Sequence, residues 1–449
     1  MAADRSRRTP AAGAEVAAAR DPRAAIDAAI AAVWRIESAR IIAGLARLVG
    51  DVGQAEDLAQ DALVAALEQW PAAGIPDNPG AWLMATAKHR ALDQLRRRKM
   101  LDRKHARLAP ELESRQEEAV PDLERALDDD IGDDLLRLMF TACHPVLATE
   151  ARVALTLRLL GGLTTEEIAR AFLAGVPAIQ QRIVRAKRTL REARVPFEVP
   201  RPAERAARLG SVLEVIYLIF NEGYTATAGD DWVRPALCED ALRLGRILAE
   251  LAPDEPEVHG LVALMELQAS RLGARVGPRG EPVLLLDQDR SRWNRVLVAR
   301  GLAALERAER LEAPLGPYAL QAAIAACHAR AARPEDTDWT RITALYDALA
   351  QVAPSPVVEL NRGVAYAMAF GPAAGLEIVD PLLGEPALAS YHLLPSVRGD
   401  LLFKLGRLGE AAAEFERAAA LTRNTREKTL LLERAAAAGR TGRGDPPRP

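Results

Sequence analysis

Apolar positions along this chain recur at steps of three and four and almost nowhere alternate, so the sequence predicts helices joined by short breaks. Ile26, Ile30, Val33 and Trp34 open a helix that continues or restarts through Ile41, Ile42, Leu45, Leu48 and Val49, until Gly50-Asp51 breaks it. A second helix runs from Gln54 to Trp70, with Ala55, Ala59, Ala62, Leu63, Ala66 and Leu67 able to pack inward and Asp57, Asp61, Val64 and Glu68 on another face. Asn78-Pro79 supplies an N-cap and a first-turn proline for a third, from Gly80 to about Lys99, whose inner face is Ala81, Met84, Ala85, Leu92 and Leu95. Later, Thr164 and Glu167 form a capping box for a short helix with Ile168, Ala169 and Phe172 on its apolar side. Gly175 turns the chain, Pro177 opens a second helix, and Ile179, Ile183, Ala186 and Leu190 lie on its inner face. Two short helices joined in this way read as a helix-turn-helix.

Beyond Pro202 the pattern stays helical. Val215, Ile216, Leu218, Ile219 and Phe220 make Val212 to Phe220 very apolar, and a polar turn, Asn221 to Tyr224, ends it. Near the C-terminus Gly399, Leu402, Gly406, Ala411, Phe415 and Ala418 fall in the pattern of a tetratricopeptide unit, and Gly363 and Tyr366 occupy corresponding places 36 residues earlier. The expected fold class is all-α, in five parts: a disordered tail over 1–24, a helical module over 25–107, an acidic linker over 108–134, the helix-turn-helix module over 135–195, and an irregular helical solenoid over 202–440.

Composition adds a segregation of charge that the net value of -3 hides. Nine Lys or Arg fall between Lys88 and Arg107 against two Asp, and eleven Asp or Glu fall between Leu108 and Asp134 against two Arg. The three cysteines, Cys143, Cys238 and Cys327, have no paired spacing, which argues against a disulfide framework or a structural zinc site. Cys143-His144 and Cys327-His328 are adjacent, but neighbours on a helix diverge by about 100°, so no metal is expected. No run of eighteen apolar residues occurs, so neither a membrane span nor a membrane partner is expected and the reading is cytoplasmic.

Three surfaces could carry function. The Asp57 face is acidic with an apolar centre, and like charges at that spacing repel, so a basic partner would relieve what a solvated face would not. The third helix carries Lys88, Arg90, Arg96, Arg97, Arg98 and Lys99 on one flank, which reads either as a nucleic-acid path or as a helix end whose cations favour the dipole. Trp82, near its start, fits the core or a base-stacking platform. The second helix of the helix-turn-helix presents Gln180, Gln181, Arg182, Arg185, Lys187, Arg188 and Arg191, side chains suited to phosphates and base edges. Asp287, Asp289 and Glu222 invite comparison with a catalytic acid set, but no metal spacing, phosphate loop or nucleophile motif accompanies them; no cofactor is expected.

Ala55-Glu-Asp-Leu-Ala-Gln-Asp-Ala-Leu63, followed by Gly80-Ala-Trp-Leu-Met-Ala-Thr-Ala-Lys-His-Arg-Ala-Leu-Asp-Gln-Leu-Arg-Arg98, resembles region 2 of the extracytoplasmic-function group of bacterial RNA polymerase sigma factors. The helix-turn-helix resembles their region 4. The resemblance implies that Asp57, Leu58, Gln60, Asp61 and Val64 dock on the clamp helices of the largest polymerase subunit. It implies that Trp82, Lys88, His89, Arg90, Arg96, Arg97 and Arg98 meet the -10 element, and that Gln180, Gln181, Arg182, Arg185, Lys187 and Arg188 meet the -35 element. His89 stands where such factors often keep Asn, and Ala178 where a hydroxyl residue often starts the second helix. Tyr217-Leu-Ile-Phe-Asn-Glu-Gly-Tyr224 and Leu284-Leu-Leu-Asp-Gln-Asp-Arg-Ser-Arg-Trp293 resemble a sigma subfamily with a tetratricopeptide-like extension. RNA polymerase core, promoter DNA and a protein partner of the extension are the partners implied; Asn221, Glu222, Gly223 and Tyr224 would form an interdomain corner. A stand-alone helix-turn-helix regulator with a ligand- or protein-binding tetratricopeptide-like domain is the rival reading, and the acidic Asp57 helix has no use in it. An enzyme housed in the solenoid is a third, and would need a deep polar pocket.

Overall fold

The computed structural model describes residues 22–105, 131–172, 174–225, 233–278 and 280–441. They are helical nearly throughout, with no β-strand among them beyond one isolated bridge between Val276 and Pro282. The fold is all-α, as the periodicity predicts. The chain divides into two compact units, residues 1–164 with 182–201 and residues 165–181 with 202–449.

In the first unit α1 (Pro22–Val49) is one continuous helix, against which α2 (Val52–Ala73), α3 (Pro79–His105), α4 (Ile131–Ala142) and α5 (Thr149–Leu159) all pack. Its stripe of Ile30, Trp34, Ile41, Ile42 and Leu45 is buried, as its spacing requires. The predicted cap at Asn78 forms, and Asp51, legible in the sequence only as part of a break, caps α2 as well. Asp51 has extended backbone and accepts from the Gln54 amide at 2.8 Å, and Asn78 accepts from the Ala81 amide at 3.1 Å. At the other end of α2, Gly74 adopts φ 86°, closing a helix that already contains Pro71.

Several inward assignments shift. The buried stripe of α3 is Leu83, Ala87 and Ala91, whereas Ala81 and Ala85 face solvent and Met84, Leu92 and Leu95 are half-buried. The periodicity suits either face, and packing against α1 and α2 selects the one beside Trp70. Leu67 of α2, expected inside, is 39% exposed, and Leu63 is half-buried. The linker also ends earlier than its charge suggests. Ile131 already begins α4, and Asp134 is 2% exposed, paired with Arg47 at 3.3 Å and Arg137 at 2.6 Å. Two opposite charges allow this carboxylate to be buried inside an otherwise acidic run. The expected tail over 1–24 falls outside the described residues as far as residue 21, as do residues 106–107 of the helical module and the linker from 108 as far as residue 130.

The second unit begins with α6 (Thr165–Ala171) and the start of α7 (Val176–Glu192), and among the described residues continues through eleven helices from α8 (Pro202–Tyr224). Next come α9 (Pro235–Leu251), α10 (Pro256–Ala269), α11 (Arg295–Arg310), α12 (Pro317–Arg330) and α13 (Trp339–Val352), most neighbours packing in sequence. α14 (Pro356–Phe370) with α15 (Pro372–Val379), and α16 (Leu393–Lys404) with α17 (Leu408–Leu421), form two hairpins that α18 (Thr425–Thr441) closes. Gly399 and Gly363 sit where paired helices approach closely, while Gly406 turns the chain at φ 76° with nothing within 4 Å of its Cβ position. A Cβ on Gly399 would lie 2.9 Å from the Phe415 ring, and one on Gly363 would lie 2.6 Å from Val379. Along α8, Val212, Leu213, Val215, Ile216, Ile219 and Phe220 are buried, while Leu218 is 37% exposed, contrary to the sequence expectation. Asn221 to Tyr224 is the last turn of α8 and not a turn beyond it.

Candidate functional site

Two alternating faces decide what α2 can present. Ala55, Ala59, Ala62 and Ala66 are buried, and on the opposite side the Asp57 and Asp61 carboxylates are 81% and 62% exposed, with Val64 at 49%. Gln60 is half-buried beside them. Leu58 does not share this face: at 6% exposure it belongs to the core, because it lies one position off the acidic stripe and about 100° around the helix. The surface is therefore acidic with an exposed valine at its centre.

On α3, Trp82 is half-buried and meets Trp70 edge-on, ring centroids 5.4 Å apart, so packing fixes its indole. His89, Arg96 and Arg97 are exposed, and Lys88 and Arg90 are half-buried. Arg90 reaches Asp61 at 3.9 Å and Arg96 reaches Asp93 at 3.6 Å, contacts too open to neutralise the flank. Arg98 falls on the same helix, its side chain outside the described residues.

Ile179, Ile183, Ala186 and Leu190 of α7 are all buried, as their spacing predicts. That burial turns Gln180, Gln181, Arg185 and Arg188 to solvent, with Arg182 half-exposed. Lys187 departs from the expected pattern. Its ammonium pairs with the Glu56 carboxylate of α2 and lies 4.0 Å from Asp57, leaving its side chain 18% exposed. Glu56 is 3% exposed and also accepts from Arg158 Nε of α5 at 2.5 Å. One turn further along α7, Arg191 donates to both carboxylate oxygens of Asp51, at 2.6 and 3.2 Å. This guanidinium holds the Asp51 carboxyl below the usual carboxylate range, and the carboxylate in turn raises Arg191. The sequence reading missed Glu56, Asp51 and Arg158 as a set. A signal existed in Arg158, a single cation among Val153, Leu155, Leu157 and Leu159, because a charge on so apolar a helix needs an anion nearby.

In the second unit the Asn221–Tyr224 turn is fixed from several directions. Arg234 pairs with Glu222, donates to the Ala171 carbonyl of α6 at 2.5 Å, and its own amide reaches the Gly223 carbonyl at 2.7 Å. A Cβ on Gly223 would lie 2.7 Å from the Cys238 amide, so only glycine fits. Tyr224 lies under Arg275, 3.8 Å from its ring centroid, and its hydroxyl accepts from Arg271. The Leu284–Trp293 stretch is structural in the same way. Arg290 donates to the carbonyls of His328 and Ala331 at 2.8 and 2.7 Å and to Thr337 at 3.1 Å, while Asp289 accepts from the Ser291 amide. Asp287 is exposed, and Glu222 is engaged by Arg234, so these three carboxylates form no common site. No group of three potential metal ligands occurs among the described residues.

Against this geometry, residues 36–100 match the family model for sigma-70 region 2, and residues 137–190 match that for sigma-70 region 4. Residues 208–309 match a family of unknown function, DUF6596, whose span holds the Tyr224 turn, Arg271, Arg275 and Arg290. An uncharacterised protein of Rhizobium meliloti (strain 1021) is 44% identical over 392 residues, covering 86% of this chain and 90% of the relative. The likeness therefore runs through both matched regions and the extension together.

Proposed function

We propose, because this chain belongs to the sigma-70 family of RNA polymerase sigma factors, that it is an extracytoplasmic-function-type factor whose helical extension governs how its helix-turn-helix is held. Core polymerase and promoter DNA are the partners, and transcription initiation in the cytoplasm is the role. No helix among the described residues is long and apolar enough to cross a membrane.

The observation that carries this reading is the exposed Asp57–Asp61–Val64 face. An acidic surface with an apolar centre suits a basic protein helix and repels a nucleic-acid backbone. A regulator acting on DNA alone has no use for it. Region 2 would then meet the -10 element through the His89, Arg96 and Arg97 flank, and α7 would enter the major groove at -35 through Gln181, Arg185 and Arg188. Arg234 supports a role for the extension, since it grips the last turn of α6, the helix that precedes the reader. The two glycine-centred hairpins support a tetratricopeptide-like surface for a protein partner.

Co-purification with core polymerase tests the assignment. Asp57→Arg and Asp61→Arg should each abolish retention while circular dichroism stays unchanged, because like charges across such an interface cost several kcal/mol, on the order of 3. Full retention of both variants would overturn the reading.

A further inference from the structure

In the second unit Arg271 Nε, Arg290 Nε, Trp293 Nε1 and His328 Nδ1 are buried nitrogens that find no hydrogen-bond partner. They share one neighbourhood. The guanidinium carbons of Arg271 and Arg290 stand 5.6 and 5.2 Å from the centroid of the Trp293 ring, and the charges of both reach His328. We propose that these four side chains form a binding site for one small oxyanion, a phosphate or carboxylate group, which the extension takes up on its own account.

Charge is what the cluster lacks. Arg290 donates its other hydrogens to the carbonyls of His328 and Ala331 and to the Thr337 hydroxyl, all neutral, and Arg271 donates to the Tyr224 hydroxyl. Neither guanidinium is paired with a carboxylate among the described residues. Glu335 and Asp336, the acids whose field reaches Arg290, are exposed, and Asp336 is already held by Arg333 at 3.1 Å. Burial, with Arg271 close by, lowers the Arg290 guanidinium from its ordinary value, and burial with both arginines lowers His328. Two cations are thus held in a poorly solvated place with nothing of opposite sign beside them.

An oxyanion answers both deficits together. Its charge offsets the guanidiniums, and its oxygens accept N–H bonds from several directions. Water would bring acceptors without charge, and a metal ion would be repelled. The indole N–H can only donate, and a neutral imidazole donates from Nδ1 in one of its tautomers, so both suit an acceptor. Burial limits the size of the ligand. Trp293, Arg290 and His328 are 3%, 6% and 7% exposed, whereas Arg271 is half-buried and leaves access from its side. Because Arg271 also bonds Tyr224, the ion would stand one side chain away from the turn that ends α8.

The test is isothermal titration of the full-length free protein, in an amine buffer with chloride as the only other anion, using inorganic phosphate and, separately, acetate. Neither polymerase nor DNA is present, so the result is independent of the sigma reading. One ion should bind per chain, and the tighter titrant identifies the phosphate or the carboxylate class. Arg271→Gln removes a charge, and Trp293→Phe keeps the ring while removing its N–H; each should weaken binding by about tenfold or more. Arg300→Gln, which removes an exposed cation from α11, should leave the affinity unchanged. If Arg271→Gln lowers the folded fraction, Trp293→Phe decides alone. The site would be overturned by the absence of saturable binding with both titrants, by undiminished affinity in a folded Trp293→Phe protein, or by an equal loss in Arg300→Gln.

Discussion

Arg234 and Glu222 form an ion pair at the end of α8, and the same guanidinium nitrogen reaches the Ala171 carbonyl that closes α6. One side chain thereby joins the extension to the first helix of the helix-turn-helix. The Glu222 side chain is 11% exposed, so loss of this cation should leave a poorly solvated carboxylate.

Replacing Arg234 separates stability from control. Arg234→Ala should lower the melting temperature, at a cost of about 2–4 kcal/mol, and should also lower transcription per folded molecule. Tyr224→Ala, which removes the ring between Arg271 and Arg275, should reproduce part of the transcriptional change without unfolding the later hairpins. Promoter output divided by soluble, folded protein is the measurement. A corner that only ends a helix predicts lost stability and unaltered specific output.

The cations of α7 should not be equivalent. Arg185 and Arg188 are exposed, so alanine at either should weaken duplex binding and reduce the salt slope by about one where the contact is to phosphate, or cost about 1–3 kcal/mol at one base where it is not. Lys187→Ala should do less in the free protein, since its ammonium is already held by Glu56. Anisotropy titrations over a range of salt separate these cases.

Acid should weaken the extension through His328. Burial, with Arg271 and Arg290 nearby, pushes its imidazole from 6.5 down to about 4, so it is neutral in the fold. The unfolded chain takes up the proton first as pH falls. Its contribution is thus complete above about pH 6.5 and is lost progressively as pH drops from there toward about 4. In His328→Gln this part of the acid-dependent fall in melting temperature should disappear. An identical fall in both proteins would place the sensitivity elsewhere.

The thiols should stay silent. Cys143, Cys238 and Cys327 are all buried, and burial pushes the Cys238 thiol up to about 12. A thiol-specific chromogenic reagent should react with none of them in the native protein and with all three after denaturation.

Legibility in the sequence followed the range of the interaction. The cap at Asn78, the inner face of α7 and the spacing of the repeat glycines depend on residues within one or two turns or on a fixed period, and these were readable, whereas Asp51 was legible as a break and not as a cap. The inner face of α3 was not, because its alanines and leucines satisfy two orientations and the choice between them belongs to α1 and α2. Leu67 and Leu218 show the same limit from the other side: hydrophobicity fixes what a residue prefers, not whether a neighbour arrives to cover it. Of the candidate site, the acidic and basic faces were legible as charge patterns. The pairing of Glu56 with Arg158 and Lys187 was not, since it joins positions more than a hundred residues apart.

The Asp51 carboxylate that caps α2 through the Gln54 amide also sets how fast it can take hold of Arg191. The capping bond orients the carboxylate before Arg191 arrives. Capture then immobilises one long side chain instead of two, which removes part of the entropic barrier to an encounter between exposed ions. Such a catch re-forms quickly and releases quickly. Its closed fraction should follow ionic strength, so this pair ties the end of α7 only as far as the surrounding salt allows.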